Sequence, residues 1–507
     1  MASTGLVMLL LMLVSFLICS QSDPQASKHK EHHLLLKRVD KKEIDAIAKH
    51  TVTFLKGMEP VIALIPKAGP YLNAFIKVLT GEQGDGEKII SNLKAEFKKL
   101  NEKLDNQLIT MTWNTWAGGP YQEAESNIRL AWKNLNELLA KCKSPCSISK
   151  NKEQYMNLFK ELHTNLVFSP DKLHMLLTTQ QPSFITDFKT LLTDHVRCHE
   201  KAIEDFGQLI TELMIMSNTV SLFYYSLHGV NKAEEIAQMT FEIISVMSEI
   251  HMFCILNPEK YIIKDVIDLI DENQDRQKLA KDIKEFLEKT YSRYDWIVVA
   301  FITRHSKYSS FYNKFLNRHY LAGFTEVTKG EVSVAVAKQM KGNHVMAEQV
   351  IKGIHSCLSK HIDCKKVIES LNNCPLVDTG ALRGYYTAVH AYVSKSHDSA
   401  EAEQDEFIDA EGPSTPPYIY TGECKKYNVA TGGHFRVLIR SDEDLKREDP
   451  CKNVNCGGTE KGKCVTLQNV QKAVCQCNKG YMGSTCEISL KEFMNAITVG
   501  MPSVKDP

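Results

Sequence analysis

Six cysteines near the C-terminus have a spacing that would suit disulfide chemistry in a very small unit. They follow the pattern C-x4-C-x7-C-x10-C-x-C-x8-C and are Cys451, Cys456, Cys464, Cys475, Cys477 and Cys486. The run Gly480-Tyr481-Met482-Gly483 supplies a turn just before the last of them. A module of this size buries too little apolar surface to be stable alone, so crosslinks must hold it together. Spacing alone leaves many pairings open.

Two histidines could serve a different chemistry, because His195 and His199 lie four residues apart. On a helix both imidazoles would share one face, where zinc could bind with Cys198 between them. No glutamate occupies the position that an H-E-x-x-H site requires. A disulfide at Cys198 is therefore the favoured interpretation, and neither a metal site nor a cofactor is predicted.

The sequence lacks the common catalytic motifs. It contains no G-x-S-x-G elbow, no G-x-x-x-x-G-K-[ST] loop and no G-x-G-x-x-G fingerprint. Carboxylate pairs are frequent, but on amphipathic helices such pairs are usually solvated. We therefore predict that the protein is not an enzyme and has no catalytic residues.

The C-terminal cysteine spacing and its glycine turn resemble an EGF-like domain, placed at residues 447–487. The resemblance implies the pairs Cys451–Cys464, Cys456–Cys475 and Cys477–Cys486. Calcium-binding members of that family carry oxygen ligands before the first cysteine and an Asn or Asp after the third. Here Val465 and Thr466 follow the third cysteine, and because calcium needs oxygen ligands, no calcium site is expected.

The N-terminus predicts export. Residues 6–19 are almost wholly apolar and are followed by small or polar residues, which is typical of a secretory signal peptide over residues 1–20. A signal anchor is the alternative, because the only positive charge ahead of this stretch is the terminal amine. Cleavage would remove Cys19 from the fifteen cysteines and leave an even number, as suits an oxidising compartment. The pair Lys37-Arg38 offers a further processing site, whose use the sequence does not decide.

Charge narrows the class of partner. Lysine plus arginine and aspartate plus glutamate each number 61, so the formal net charge is zero. Nucleic-acid binding usually requires a basic face. No nucleic-acid partner is therefore expected.

Apolar residues recur at helical spacing between about Glu43 and Tyr392, while alternating strand patterns are scarce. One run at this spacing consists of Leu279, Ile283, Phe286, Thr290 and Tyr294. The pattern predicts a mainly α fold in which long amphipathic helices pack as a bundle, with a helical domain over residues 40–395.

The composition changes after this region. Residues 396–420 are acidic and rich in proline, with too few apolar groups to offset the entropy of ordering, so an exposed linker is expected. The run Phe435 to Arg440 is strand-like. Residues 488–507 are expected to form a C-terminal tail.

The segment from Val52 to Leu79 is the most apolar part of the mature chain and is interrupted by glycines and prolines. It predicts two short helices. A membrane-acting protein could insert such a hairpin. A buried position at the entrance to the helical core is the favoured alternative.

The order of these parts, together with Cys142-Lys143-Ser144-Pro145-Cys146 and Tyr294-Asp295-Trp296-Ile297-Val298-Val299, resembles the cephalotoxin-like proteins. These are secreted proteins of cephalopod venom glands, with relatives in fishes and corals. The chain is most similar to the short coral-type relatives, because it lacks the thrombospondin-like and LDL-receptor-like modules of the larger cephalopod toxin.

The resemblance implies a secreted, non-enzymatic extracellular protein. A binding protein or an organic-matrix component, such as one of a coral skeleton, is the first expectation, with extracellular proteins, matrix or a mineral surface as partners. The alternative is a secreted toxin that acts on membranes or receptors. The sequence does not separate these two classes.

One disulfide outside the C-terminal module is predicted from helix geometry. Apolar helical patterns run from Cys198 to about Leu227 and from near Ala233 to Cys254, with His228–Asn231 as the turn between them. Residues equidistant from such a turn face each other, and the midpoint of 198 and 254 lies only a few residues from it. At about 1.5 Å rise per residue the heights of the two cysteines could differ by less than two helical turns. A bridge requires Cα atoms within about 7 Å, which modest irregularity or fraying at Gly207 would provide.

We therefore predict a Cys198–Cys254 disulfide, which would close a long loop and contribute about 4 kcal/mol in the chain-entropy model. Non-reducing peptide mapping tests it. A peptide that joins Cys198 to Cys142, Cys146 or a C-terminal cysteine would show that the hairpin register is wrong. The sequence leaves open the pairing of the others: Cys142, Cys146, Cys357, Cys364, Cys374 and Cys424.

Overall fold

The structure of the protein, a computed structural model, describes most of the chain between Lys41 and Thr498. The described residues are 41–65, 68–80, 119, 121–143, 159, 169–179, 187–302, 319–358, 362–376, 380–393, 399–401, 419–426, 430–445, 451–466 and 473–498. Those from Asp45 onward belong to one compact unit.

Helices occupy nearly all of the described chain up to Thr290. They are α1 Lys41–Gly57, α2 Glu59–Ile62, α3 Gly69–Thr80, α4 Gln122–Lys143, α5 Ser169–Thr178, α6 Phe188–Thr190 with a π-helical turn Leu191–His195, α7 Glu200–Leu227, α8 Ala233–Leu256, α9 Pro258–Leu269 and α10 Arg276–Thr290. α10 shows why they form: Leu279, Ile283 and Leu287 recur on one buried face, and the Asp275 side chain accepts hydrogen bonds from two backbone N–H groups of the first turn.

The long helix α7 lies at the centre of this region. It contacts α3, α4, α5, α8 and α10, and for this reason its side chains are buried on nearly every face. A turn with Gly229 at a φ of 71° leads into α8, and the Asn218 amide donates a 2.8 Å hydrogen bond to the Thr240 hydroxyl between the two helices. The mainly helical character that the sequence predicts is confirmed.

After α10 the chain forms two four-stranded antiparallel sheets. The strands of both sheets are β1 Tyr294–Ile302, β2 His319–Ala322, β3 Thr325–Lys329, β4 Val332–Met340, β7 Tyr386–Val393, β8 Ser399–Glu401, β9 Ile419–Lys426 and β10 Ala430–Ile439. The first sheet has the order β3-β4-β1-β8 and the second the order β2-β7-β10-β9. β1 and β4 pair over their full length, from Tyr294 opposite Met340 to Ile302 opposite Val332.

β1 is buried on both faces. Trp296 and Val298 point toward α9 and α10 and belong to the cluster formed with those helices. Ile297 and Val299 point the other way and pack against Leu438 of the second sheet. The two sheets therefore lie face to face, and helices cover the outer face of the first sheet.

The outer face of the second sheet is covered in the same way. The elements there are α11 Ala347–Cys357, the 3-10 turn Cys364–Lys366, α12 Val367–Asn373, the short pair β5 Pro375–Leu376 and β6 Gly380–Ala381, and the 3-10 turn Leu382–Tyr385. Ile351 and Leu371 pack against Val389 and Val437 of the sheet. Helix, sheet, sheet and helix thus form four layers.

The C-terminal cysteine module, residues 451–489, follows a short helix, α13 Asp442–Leu445. It contains the hairpins β11 Gly462–Thr466 with β12 Ala473–Cys477, and β13 Tyr481–Met482 with β14 Ile488–Ser489. The chain then forms α14 Leu490–Thr498, which packs on α8. Phe493 and Ile497 are buried there, and the ring centroids of Phe493 and Phe241 are 5.7 Å apart.

The prediction of one helical domain over residues 40–395 is wrong for its last third, because β1 to β4 and β7 lie inside that range. A strand buried on both faces is apolar at every position and lacks the alternation of a half-exposed strand. In the sequence pattern Tyr294 is the last residue of a helical run that starts at Leu279. In the structure α10 ends at Thr290, and Tyr294 is the first residue of β1.

Two boundary predictions also need correction. Within the predicted linker 396–420, residues 399–401 form β8 and residues 419–420 begin β9, while residues 396–398 and 402–418 lie outside the described residues. The predicted tail 488–507 contains β14 and the packed helix α14. The strand-like run Phe435–Arg440 lies in β10, apart from its last residue.

The apolar segment from Val52 to Leu79 belongs to α1, α2 and α3, three helices where the sequence predicts two. Its large side chains face the interior: Phe54, Leu55 and Phe75 are fully buried. The segment therefore lies in the helical core, as the favoured alternative predicts.

Gly433 provides a test of packing between β10 and the neighbouring disulfide. A Cβ added there would lie 2.3 Å from Cys364 Sγ and 2.7 Å from the Cys424 carbonyl oxygen. Because backbone and a crosslinked sulfur cannot move aside, we predict that Gly433→Ala lowers the unfolding free energy by about 1–3 kcal/mol. Gly69→Ala is the matched control, since its Cβ would meet nothing within 4 Å. Equal urea midpoints for the two variants would contradict this packing.

Candidate functional site

A cleft of about 520 Å³ opens at the edge of the first sheet. β3 pairs with β4 only as far as Thr325 opposite Val336, and the cleft lies where that pairing ends. The residues that line it are Glu259, Ile262, Trp296, Gly323, Phe324, Thr325, Val336, Ala337, Lys338, Thr387, Arg440, Asp444 and Thr466. Helix α9, both sheets, α13 and the cysteine module all contribute, so the cleft lies at the junction of these parts.

A glycine shapes one wall. Gly323 joins β2 to β3 with a φ of 78°, in the left-handed region that favours glycine. A Cβ at this position would lie 2.1 Å from the Thr387 carbonyl oxygen. Only glycine therefore lets the turn approach β7 closely enough to bring Phe324 and Thr325 into the cleft.

An ion pair crosses a second wall. Glu259 lies in the first turn of α9, where the helix dipole favours a carboxylate. Its carboxylate oxygens accept a 2.5 Å hydrogen bond from Lys338 Nζ and a 3.0 Å hydrogen bond from the Thr325 hydroxyl. Lys338 Nζ also lies 5.0 Å from the centroid of the Tyr294 ring, at cation–π distance. These contacts hold both charged groups in place.

A second pair of opposite charges lies on α13 and the residues before it. Burial raises the pKa of Asp444 to about 6, although the nearby Arg440 guanidinium and the Met340 backbone N–H oppose the shift. Oδ1 of Asp444 and Nε of Arg440 are both buried, and neither has a hydrogen-bond partner among the described residues. The cleft thus contains two carboxylates and two cations, which balance.

Trp296 lines the cleft between these pairs. The side chain is fully buried, and its indole N–H has no hydrogen-bond partner within the described part of the chain. A buried donor without a partner costs about 1–3 kcal/mol. Two donors and one acceptor thus lie buried behind the wall of the cleft without a partner among the described residues.

The six C-terminal cysteines pair within their own module. The disulfides are Cys451–Cys464, Cys456–Cys475 and Cys477–Cys486. Val474 packs against the core formed by α9, α10 and β1, and Thr466 at the end of β11 lines the cleft. The module is therefore attached to the rest of the chain next to the cleft.

Three further disulfides lie outside the module: Cys198–Cys254, Cys357–Cys374 and Cys364–Cys424. The Cα atoms of Cys198 and Cys254 are 5.1 Å apart, across the open end of the α7–α8 hairpin. Cys146 and the side chain of Cys142 lie outside what the structure describes. Cys198 and Arg197 both have positive φ values, 53° and 56°, a conformation that non-glycine residues adopt only when their surroundings enforce it.

A buried charge network provides that enforcement. Arg197 Nη1 donates a 2.8 Å hydrogen bond to Asp265 Oδ1, while the Tyr291 hydroxyl donates to Oδ2 at 2.7 Å and His199 Nε2 lies 2.9 Å from the same oxygen. Burial alone would raise the pKa of Asp265, but hydrogen bonds from His199, Tyr291 and Arg197 lower it below its ordinary value. Burial raises the pKa of Tyr291 well above its ordinary value.

This network also determines what the two spaced histidines do. His199 is held by Asp265, His195 ends the π-helical turn, and Cys198 is in a disulfide. No group of three or more histidine, cysteine or carboxylate side chains that could hold a metal ion occurs among the described residues.

Sequence reasoning did not single out the charged residues of the cleft. Glu259, Lys338, Arg440 and Asp444 come from separate elements, so no local spacing links them. Trp296 stands inside the apolar run of β1, where a buried aromatic residue is ordinary core. Its polar N–H was the only signal in the sequence.

Helix α8 is a second feature with functional bearing. Among the described helices it alone is long and apolar enough to cross a membrane by length and composition, a property that core helices of soluble proteins share. α14 packs on it through Phe493. Its apolar surface is therefore partly covered by the C-terminal helix.

Comparison with known proteins supports one family. Residues 82–276 match the model of the cephalotoxin-like middle helical domain. The match supports a cephalotoxin-like family for this chain, as the sequence predicts; it covers neither the C-terminal cysteine module nor the similarity to coral-type relatives. No curated protein and no solved structure matches the chain. The domain suggests a toxin-like or secreted protein, with which the six disulfides are consistent.

The buried network generates a paired prediction. Asp265→Asn would leave Arg197 buried without its main counter-charge, which typically costs about 3–5 kcal/mol of unfolding free energy. Asp268 also contacts Arg197, at 2.5 Å, but its side chain is 48% exposed, so Asp268→Asn should cost less than about 1 kcal/mol. Urea denaturation of both variants measures the difference. Equal losses of unfolding free energy in the two variants would show that the burial of Asp265 does not determine how much it stabilises the fold.

The raised pKa of Asp444 generates a prediction about pH. Its charged form is disfavoured in the folded state, so folding above about pH 6 carries a cost that protonation removes as the pH falls. Asp444→Asn should therefore raise the unfolding free energy by about 3 kcal/mol near pH 7.5 and by almost nothing below about pH 4.

The measurement is the difference in unfolding free energy between Asp444→Asn and the wild type as a function of pH. Burial lowers the pKa of the neighbouring His344 to about 4, and this group loses stability as the pH falls between its unfolded and folded pKa values. The His344 contribution is common to both proteins and cancels. A difference that is constant with pH would contradict the burial of the Asp444 charge.

Proposed function

We propose that the protein is secreted and binds another extracellular molecule without catalysis, and that its C-terminal cysteine module is EGF-like. The observation that carries the proposal is the attachment of this module. Three disulfides crosslink it, Val474 packs it against the core of the first sheet, and α14 returns from it to α8. A module held in this way presents one fixed surface to a partner.

The surface of the module supports a binding role. Its buried core consists mainly of cystine sulfur, with Cys456, Cys475 and Cys486 at the centre. The turn from Gly457 to Glu460 is exposed, as are Lys463 and Gln476 on the hairpin. Polar side chains on a crosslinked frame can contact a partner with little loss of conformational entropy.

The chemistry of the cleft supports a non-enzymatic function. Glu259 is neutralised by Lys338, and the lining residues include no serine, cysteine or histidine that could act as a nucleophile with its base. Its uncharged polar residues are threonines: Thr325, Thr387 and Thr466. We propose that this region binds and does not convert its ligand.

Export completes the proposal. The apolar N-terminal segment is proposed to be a signal peptide removed near Ser20, so that the disulfides form in an oxidising compartment. The helices around α7 are proposed to act as a bundle that supports the sheets and the module. An organic-matrix component is a narrower form of the same function, for which the acidic stretch of residues 398–411 is the proposed contact with mineral.

A toxin that acts on membranes is the second candidate, and the length and apolar composition of α8 favour it. In this function α8, or the buried helices α1 to α3, would have to leave the core and enter a bilayer. The intact protein should therefore release no dye from liposomes. Rapid leakage caused by the native protein would establish the toxin function in place of the binding function.

The role of the module can be tested with two double variants. We expect Cys456→Ser with Cys475→Ser to abolish binding of fluorescently labelled full-length protein to extracellular matrix laid down by cultured cells, because this pair closes the core of the module. Cys357→Ser with Cys374→Ser removes a disulfide of similar loop length, 17 against 19 residues, and should leave binding within about twofold. Binding that survives in the first variant, or that is lost equally in both, contradicts a role for the module.

A further inference from the structure

The C-terminal cysteine module carries an excess of positive charge. Residues 451–489 contain five lysines and two glutamates, and no arginine, aspartate or histidine. The whole chain has a formal net charge of zero, so positive charge is concentrated in this small unit. A surface of one sign attracts partners of the opposite charge.

The lysines lie on the surface of the module without a counter-charge. Four of the five belong to the described residues, where they form the lysine-rich surface: Lys452, Lys461, Lys463 and Lys479. The first, third and fourth of these side chains are exposed, and none of the four forms an ion pair within the described part of the chain. Exposed lysines on the helices differ, since Lys133, Lys260 and Lys352 each lie within 4.0 Å of a carboxylate.

The hairpin of β11 and β12 places two of these lysines together. Lys461 and Lys463 are two residues apart, and alternate residues of an extended chain share one face. The Asn478 backbone N–H donates a 2.8 Å hydrogen bond to the Lys461 carbonyl oxygen, and Lys463 lies opposite Gln476 in the hairpin. Amide side chains therefore accompany the ammonium groups along this part of the module.

The carboxylates of the module do not neutralise this surface. The Glu487 carboxylate accepts hydrogen bonds from the backbone N–H and the hydroxyl of Thr485, both at 2.8 Å. Glu460 is the only other carboxylate in the module. One glutamate is thus engaged within its own turn, and the lysines remain in excess.

The residue types indicate which polyanion fits. Arginine binds planar carboxylates through two parallel hydrogen bonds, whereas lysine acts as a point charge. A module with lysines and no arginine is therefore suited to the tetrahedral charge of a sulfate group more than to an acidic peptide. The exposed amides of Asn453 and Gln476 can both donate to and accept from sugar hydroxyls.

A membrane is a poorer partner for the same surface. No large apolar side chain is exposed among the described residues of the module. Proteins that bind at a membrane interface usually bury apolar groups there in addition to using basic ones. The module offers charge and amides without such an anchor.

We infer that the lysine-rich surface of the cysteine module binds a sulfated polysaccharide of the extracellular matrix. The ammonium groups meet the sulfate groups along the polysaccharide, and the amides meet its hydroxyl groups. Three disulfides hold the underlying backbone, which limits the entropy lost on binding. The inference rests on the proposed function, because it names the partner of the proposed binding module.

Surface plasmon resonance of the full-length protein over immobilised heparin tests the inference. We expect reversible binding that weakens as NaCl rises from about 0.05 M to about 0.5 M, because exposed charges are screened. The triple variant Lys452→Gln, Lys463→Gln and Lys479→Gln should bind at least about tenfold more weakly. These side chains are exposed, so the variant should fold. Lys461 is left unchanged, because an added Cβ at Gly457 would lie 2.8 Å from Lys461 Cδ, which shows that its stem packs there.

A second triple variant is the matched control. Lys133→Gln, Lys260→Gln and Lys352→Gln remove the same charge from exposed positions on helices. This variant should bind heparin within about twofold of the wild type. The comparison separates the position of the charge from its total.

Several results would overturn the inference. They are no binding of heparin, equal weakening in the two triple variants, and binding of poly-L-glutamate as tight as that of heparin. Binding to vesicles of phosphatidylserine and phosphatidylcholine in place of heparin would also overturn it and would identify a membrane surface.

Matrix laid down by cultured cells distinguishes this inference from the proposed function. We expect treatment of the matrix with heparinase and chondroitinase to remove most of the binding of the wild type. Unchanged binding after this treatment would overturn the inference and leave the proposed function in place. A wild type that binds no untreated matrix would contradict the proposed function instead.

Discussion

The burial of β1 on both faces is the constraint on which the rest of the described structure depends. A strand that hides its side chains from Tyr294 to Phe301 must have a layer on each side. α9 and α10 supply one layer and the second sheet supplies the other. The second sheet then needs its own cover, which α11 and α12 provide. The four layers thus follow from the composition of one strand.

The same constraint creates the cleft. Trp296 lies near the start of β1, opposite Lys338, at the level where β3 has already ended and α9 begins. Burial there leaves the indole N–H without a backbone or side-chain acceptor among the described residues. Lys338 is paired with Glu259, because an isolated charge at this depth would be costly, and Arg440 lies near Asp444 as an opposite charge. A polar cleft with balanced charge is the consequence.

The helical part of the fold could be predicted because its signals are local. α7 and α8 are long, their apolar period is regular, and Gly229 marks the turn between them, so the expected ends at about Leu227 and near Ala233 match the structure. The strands could not be predicted in this way, since Trp296 to Phe301 is apolar at every position and has no strand period. The cleft could not be predicted from the sequence either. Glu259, Lys338 and Asp444 lie on separate elements and come together only when the sheets and α13 have formed. Long-range pairing, as between Cys364 and Cys424, likewise depends on the second sheet.

Hydrogen exchange of the backbone amides in β1 tests the central claim most directly. If the strand is covered on both faces and paired with β4, the amides of residues 296–301 should exchange only through global unfolding. β3 lies at the edge of the same sheet and has exposed residues at Glu326, Thr328 and Lys329, so its amides should exchange much faster. Equal rates in β1 and β3, or rapid exchange at residues 296–301, would contradict the doubly buried strand and the cleft that depends on it.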